Sequence, residues 1–301
     1  MRYYYTAYGL NIVSKIELPE LMPRIEPEQL RPLDIEIVDG NIEIKFDGPI
    51  ISRPFFQASQ TDCLLSTPEG SQYWLHNGNR VVININQSGL SEIVRYFLIY
   101  GALPILLIQR GIFLLHGSAI SNGQHALVLL GGSRSGKSTL AAGSWQRGWR
   151  LISDELIVCT LDPAQRICVQ PGIPQILLWR DALDQLKMDY ELAKPTRIPN
   201  QFILGAGEKF EQKPVPIQTI FCLERQSNKA PQPDVSWGHT KFLQVLQKTY
   251  LPHFPRPQAI HVKQAQIPMM LAATIPLKTI LWTSHDYRVD NLLDKLLEQI
   301  K

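Results

Sequence analysis

The run Gly131-Gly132-Ser133-Arg134-Ser135-Gly136-Lys137-Ser138-Thr139 constrains the fold of this chain more than any other segment. It matches the pattern G-x-x-x-x-G-K-[ST]. His125–Leu130 precedes it and is apolar after its first residue. Lys137–Arg147 follows with a helical pattern that meets Gly148, a residue suited to closing a helix in the left-handed conformation. A buried strand, a small-residue loop and a helix in this order turn backbone amides into a concave nest at the positive end of the helix. The glycines let the backbone turn tightly and approach an anion closely. On average composition the pattern arises by chance in about one chain per hundred of this length. The flanking strand and helix make a plain Gly-Ser surface turn the weaker reading. The nine residues Gly131, Gly132, Ser133, Arg134, Ser135, Gly136, Lys137, Ser138 and Thr139 are therefore expected to hold the phosphates of ATP with Mg2+. Lys137 supplies a charge to the terminal phosphates and the Ser138 hydroxyl is a Mg2+ ligand.

Asp154 lies seventeen residues after Lys137, at the end of the next short strand, Arg150–Ser153. That spacing leaves room for a three-turn helix and one return strand, which brings the acid back to the mouth of the loop. NTPases with extended sheets place their magnesium-binding Asp much further on. Here the signals after residue 156 are hairpin-like, which disfavours a GTPase, a transporter ATPase or a helicase. Asp154 is the candidate general base, taking the proton of an attacking hydroxyl, and a candidate metal ligand. Glu155 offers a second hard oxygen ligand for Mg2+; a surface glutamate is nearly as good a reading. His116 ends an apolar run before Gly117-Ser118 and could orient the acid or donate to a phosphate oxygen, although a lone His in that setting is more often a core residue. Arg134 either touches a phosphate or points to solvent, and Arg180 reads as a strand-end surface arginine. Phe242, Leu243, Val245 and Leu246 read as helix core.

The rest of the chain sets the frame. The first ninety residues are β-rich, with runs at Tyr3–Ser14, Leu33–Val38, Ile42–Phe46 and Arg80–Asn86. Asp39-Gly40 and His76-Asn77-Gly78-Asn79 each read as a hairpin turn. Ser88–Gln109 reads as a helix capped by Ser91 and kinked or restarted at Pro104. The spacing predicts a β-rich region over 1–110 and an α/β domain over 111–301. Leu156–Thr160 and Arg166–Gln170 are expected to form a hairpin, and Asp181–Met188 and Asp290–Ile300 amphipathic helices. Gly205–Lys213 and Gln226–Asp234 read as polar loops. Thirty basic against 27 acidic residues, a net +3, give no electrostatic case for nucleic acid or an anionic membrane. The longest apolar run, Tyr96–Ile108, falls short of the ~20 residues of a spanning helix. Four scattered cysteines without a C-x-x-C pair read as reduced thiols, and the N-terminus lacks a signal-peptide pattern. A cytoplasmic protein is expected.

Residues 116–158, HGSAISNGQHALVLLGGSRSGKSTLAAGSWQRGWRLISDELIV, resemble the catalytic core of bacterial HPr kinase/phosphorylase. His116, the loop Gly131–Ser138, Arg147-Gly148 and the pair Asp154-Glu155 stand at that family's spacing. Tyr8-Gly9-Leu10, Leu18-Pro19-Glu20-Leu21 and Pro171–Trp179 further resemble HPr-kinase-related proteins of bacterial peptide-modification clusters. The resemblance implies a mixed sheet around a phosphate loop, the fold shared with phosphoenolpyruvate carboxykinase. It also implies ATP-dependent phosphorylation of a serine-type hydroxyl on a peptide, protein or small molecule, with a ribosomal peptide precursor as an acceptor by analogy and a homo-oligomer as a candidate assembly. Glu155 stands where HPr kinase has Asp, and no downstream signature for docking HPr or for phosphorolysis is present. Both points count against HPr as the acceptor and against a dephosphorylating activity. Two other classes remain open: a nucleotide-binding regulatory module with little or no kinase activity, and a carboxykinase-like metabolic enzyme, for which the chain is short. A pure binding module needs the loop but no base, so Asp154 favours the kinase.

Overall fold

Short strands joined by tight turns build the first part of the chain in the computed structural model. The structure describes residues 1–24, 33–44, 46, 48, 50–86, 91–225, 239–250, 261–282 and 288–298. The chain divides into two compact units, Met1–Phe113 with Leu251–Ala265, and Leu114–Tyr250 with Gln266–Lys301.

The first unit holds strands β1 (Tyr3–Ala7), β2 (Leu10–Ser14), β3 (Met22–Pro23), β4 (Ile35–Asp39), β5 (Ile51–Arg53), β6 (Phe56–Ala58), β7 (Asp62–Ser66), β8 (Gln72–His76) and β9 (Arg80–Asn84). They form one sheet in the order β3-β1-β2-β4-β9-β8-β7-β6-β5. The run Tyr3–Ser14 is broken at Tyr8-Gly9, whose φ values of 55° and 77° close a two-residue hairpin. Asn77 and Gly78, at 48° and 67°, lie in the three-residue loop that joins β8 to β9 in a hairpin, as expected. Asp39-Gly40 does not turn a hairpin. Strand β4 runs parallel to β2 on one side and to β9 on the other, so no edge is left for a strand folding back on it. Residues 42–44 accordingly form no strand, and 45 lies outside the described residues.

A helical stretch follows: α1 (Glu92–Phe97), a wide π turn over Leu98–Ala102, and α2 (Leu103–Gln109) with Pro104 in its first turn. Ser91 occupies the N-cap position but its side chain makes no capping hydrogen bond. Among the described residues this stretch, Glu92–Gln109, is the one helix long and apolar enough to cross a membrane. It is 61% buried inside the protein. The Tyr73 hydroxyl of β8 donates to the Val94 carbonyl at 2.8 Å, and Gln109 accepts from the Gly78 amide, tying the helix to the sheet.

The second unit contains β10 (Leu114–Ser121), β11 (Ala126–Gly131), α3 (Lys137–Gln146), β12 (Arg150–Ser153), β13 (Leu156–Leu161), β14 (Ile167–Val169), β15 (Gln175–Trp179), α4 (Arg180–Gln185), β16 (Ala193–Pro195), β17 (Gln201–Gly205), β18 (Val215–Arg225), α5 (His239–Gln247), most of α6 (His261–Thr274), β19 (Leu277–Trp282) and α7 (Val289–Glu298). Its main sheet is mixed. Strand β11 pairs antiparallel with β10 and parallel with β18, which pairs parallel with β19. Strands β13 and β14 form the expected hairpin. Strands β15, β17 and β16 form a small antiparallel sheet. Helices α3 and α7 pack Leu140, Leu292, Leu293 and Leu296 against Leu127, Leu129, Phe221 and Ile280 of the sheet. In α5, Val245 is buried as expected of core, but Leu243 is exposed, because the core stripe of that helix excludes its position. All four cysteines are free and buried, and burial pushes the Cys63 and Cys159 thiols up to about 12. Gln226–Asp234 lies outside the described residues.

Candidate active site

Strand β10 changes partner part-way along one edge, and that switch creates the site. Its residues Leu114–His116 pair with β13, while Ala119–Ser121 pair with β12. The chain leaves β12 and enters β13 at Asp154-Glu155, so the acidic turn faces Gly117-Ser118 of β10. Glu155 sits at φ 64°, a left-handed conformation that costs a non-glycine residue about 1–3 kcal/mol. Gly117 has no room for a side chain: a Cβ there would lie 2.6 Å from the Leu129 carbonyl oxygen and 2.9 Å from Ile157 Cδ1.

Asp154 is buried, 6% exposed. Its Oδ1 accepts from Ser118 Oγ at 2.5 Å and from Ser138 Oγ at 3.0 Å, and its Oδ2 accepts from the Leu177 amide at 3.0 Å. A carboxylate offers about four lone-pair sites, so one remains, on Oδ2. Burial, and next the neighbouring Glu155 charge, raise its pKa to about 6, against the lowering pull of these three donors. A carboxylate with that basicity is better matched to proton abstraction near neutral pH than an ordinary one.

Lys137 opens α3 and is also buried, at 5% exposure. Its Nζ donates to the Gly132 carbonyl at 2.9 Å and lies 3.4 Å from that of Gly131. Burial lowers its pKa, and Glu155 and Asp154 oppose that shift. The loop before it takes left-handed turns at Arg134 (φ 59°) and Gly136 (φ 94°). Gly131 packs so closely that a Cβ would meet the Leu223 carbonyl at 2.8 Å, whereas Gly132 is open. Ser135 is buried with its Oγ unpartnered among the described residues.

His116 Nε2 stands 3.4 Å from Glu155 Oε2. Burial, with help from the Lys137 charge, lowers the His116 pKa, so the ring is neutral at pH 7 and the contact is not an ion pair there. Its ring meets Tyr250 edge-on at 5.9 Å, and its amide donates to the Lys248 carbonyl. Glu155 is itself raised in pKa by burial, with Lys137 opposing.

The structure thus brings His116, Lys137, Ser138, Asp154 and Glu155 together. Ser133 and Arg134 are exposed, and Thr139 is half-buried in the first turn of α3. The Arg134 guanidinium lies 5.0 Å from the centre of the Trp179 ring. Arg180 opens α4, its guanidinium over Tyr190 and Phe202 and bonded to Asn200, and does not join the cluster. Three contributors escaped the sequence reading: the Ser118 hydroxyl, the Leu177 amide and the Trp179 ring. Ser118 had a visible signal in His116-Gly117-Ser118. The Leu177 amide had none, since a backbone donor is invisible in sequence.

The donor set fits a phosphate-bound magnesium ion. Ser138 Oγ and the two carboxylates are hard oxygens, and Mg2+ takes few protein ligands beside phosphates and water. Among the described residues no group of three or more His, Cys, Asp or Glu forms a self-sufficient metal site. Ser135 Oγ is the polar side-chain atom left unmatched inside the loop among the described residues, and the left-handed turns at Arg134 and Gly136 are of the kind that shape an anion-binding nest.

No family model matches the sequence, and no curated protein does. Among solved structures, the HPr(Ser) kinase/phosphatase from Coxiella burnetii is similar over 40% of this chain and 65% of its own length, at 14% identity and a TM-score of 0.28. The chain therefore spans less than two thirds of that neighbour.

Proposed function

We propose that this chain is an ATP-dependent kinase that moves a γ-phosphoryl group to a serine-type hydroxyl of a peptide, protein or small molecule. The observation that carries this reading is the buried Asp154, held by three donors beside Ser138 and Lys137 with one lone pair of Oδ2 left over. A module that only bound nucleotide needs no proton acceptor, and a buried carboxylate of raised pKa disfavours folding at neutral pH. Gly131–Ser138 binds and orients the phosphates through amides and the Lys137 charge. Ser138 and Glu155 would hold Mg2+, which would supply charge neutralisation at the phosphates when bound, and the one lone pair left on Asp154 Oδ2 is kept for the proton. Asp154 takes the hydroxyl proton as the new P–O bond forms and the bond from the γ-phosphorus to the bridging oxygen breaks, releasing ADP, with Ser118 and the Leu177 amide fixing the carboxylate's orientation. His116, neutral, is placed to hold Glu155. A ribosomal peptide precursor is the acceptor suggested by resemblance alone.

The test begins with titration calorimetry of ATP with Mg2+ on wild type and Lys137→Ala. A charge-assisted contact contributes about 1.5–3 kcal/mol, so the variant should lose about one to two decades of affinity. Equal affinity in both proteins would remove the nucleotide assignment.

A further inference from the structure

The nucleotide reading leaves Trp179 without a role, although its ring carries the one aromatic contact made by the loop among the described residues. Arg134 adopts φ 59° in the middle of the loop, a conformation an L side chain rarely takes without something to hold it. Its side chain is exposed and has no carboxylate partner among the described residues. Its guanidinium instead lies 5.0 Å from the Trp179 ring centre, within range of a cation–π contact. Trp179 is no free surface residue. It ends β15, which pairs with β17 along all five residues, Gln175 to Trp179. Two residues earlier in the same strand, the Leu177 amide holds Asp154 Oδ2. One strand therefore touches both the acid and the loop.

We propose that Trp179 is a positioning residue for the loop: its ring holds the Arg134 guanidinium, so that the backbone keeps its left-handed turn and its amides stay aimed before a nucleotide arrives. The proposal rests on the reading of Gly131–Ser138 as a phosphate site. It separates Arg134 from a direct phosphate contact, because a guanidinium stacked on Trp179 acts through the backbone. The loss on removing the ring should fall on binding rather than on the chemical step. Its size should be that of an exposed cation–π contact, roughly two- to fivefold.

The experiment uses the full chain with ATP and Mg2+, measuring Kd by calorimetry and KM and kcat by ATP hydrolysis. Trp179→Leu should raise Kd and KM about two- to fivefold with kcat little changed. Trp179→Phe, which keeps a π face, should restore most of the affinity. The Arg134→Ala variant should show the same loss, and the double variant Arg134→Ala/Trp179→Leu no further loss. Wild-type affinity in Trp179→Leu, or additive losses in the double variant, would overturn the proposal while leaving the nucleotide site intact. Wild type that binds no ATP would overturn the site and the proposal together. If Trp179→Leu unfolds early, Arg134→Gly against Arg134→Ala decides. Glycine takes the left-handed turn unaided and should keep most of the affinity that alanine loses; equal losses would mean that the guanidinium itself meets phosphate.

Discussion

At the scale of single residues, the two carboxylates of the acidic turn have different surroundings and should behave differently. Asp154 is enclosed and hydrogen-bonded, whereas the Glu155 side chain is about a third exposed and stands 3.4 Å from the His116 ring nitrogen. Glu155→Gln should therefore raise the Mg2+ requirement, with excess metal restoring part of the activity. The check is ATP hydrolysis across a Mg2+ series for Glu155→Gln beside Asp154→Asn. Identical responses would make the two acids one metal site. The spacing from Lys137 already pointed to both acids in the sequence, because a helix of that length and one strand leave few places to return to. The sequence already assigned Asp154 as base and Glu155 as metal ligand, but not the surroundings that differ between them, since Ser118, Leu177 and the left-handed turn at Glu155 are all set by tertiary pairing.

At the scale of elements, the partner switch along β10 is the device that makes the turn, and Gly117 is its tightest point. Gly117→Ala would push a methyl group against the Leu129 backbone carbonyl, which cannot rotate aside. It should lower stability by roughly 1–3 kcal/mol, read from the urea midpoint. Gly132→Ala, with open space around it, should leave the midpoint unchanged. In the first unit, Asp62 of β7 accepts from Thr61 Oγ1, Trp74 Nε1 and His76 Nδ1. Burial alone would raise its pKa, but the bonds from His76, Thr61 and Trp74 outweigh it and the net shift is downward. A lowered folded-state pKa gives stability that is present above the ordinary Asp pKa, about 4, and is lost as pH falls below it. Thermal unfolding between pH 3 and 7 should show a shallower acid limb in Asp62→Asn than in wild type; parallel curves would contradict this. The hairpin at Asn77-Gly78 was legible because its residues demand one turn type. The parallel pairing of β4 was not, because Asp39-Gly40 carries the same local signal and only the occupied edges of β4 override it.

At the scale of the molecule, every candidate site residue lies in the second unit, Leu114–Tyr250 with Gln266–Lys301. A photoreactive ATP analogue incubated with the full chain should thus label peptides of that unit, as read by mass spectrometry. Labelling concentrated in residues 1–113 would contradict the location of the site. The order strand, loop, helix, return strand was legible because each piece carries its own local signal in a short stretch. The pairing of β11 with the distant β18 was not, because a sequence shows that both strands are apolar without showing that they are neighbours. The most direct measurement compares wild type with Asp154→Asn on one preparation, by calorimetry with ATP and Mg2+ and by phosphoryl transfer or slow ATP hydrolysis. Loss of a general base costs ~10²–10⁴-fold in rate, so turnover should fall by that factor while nucleotide affinity changes little. Wild-type turnover in Asp154→Asn would make Asp154 a structural acid and would contradict the kinase reading.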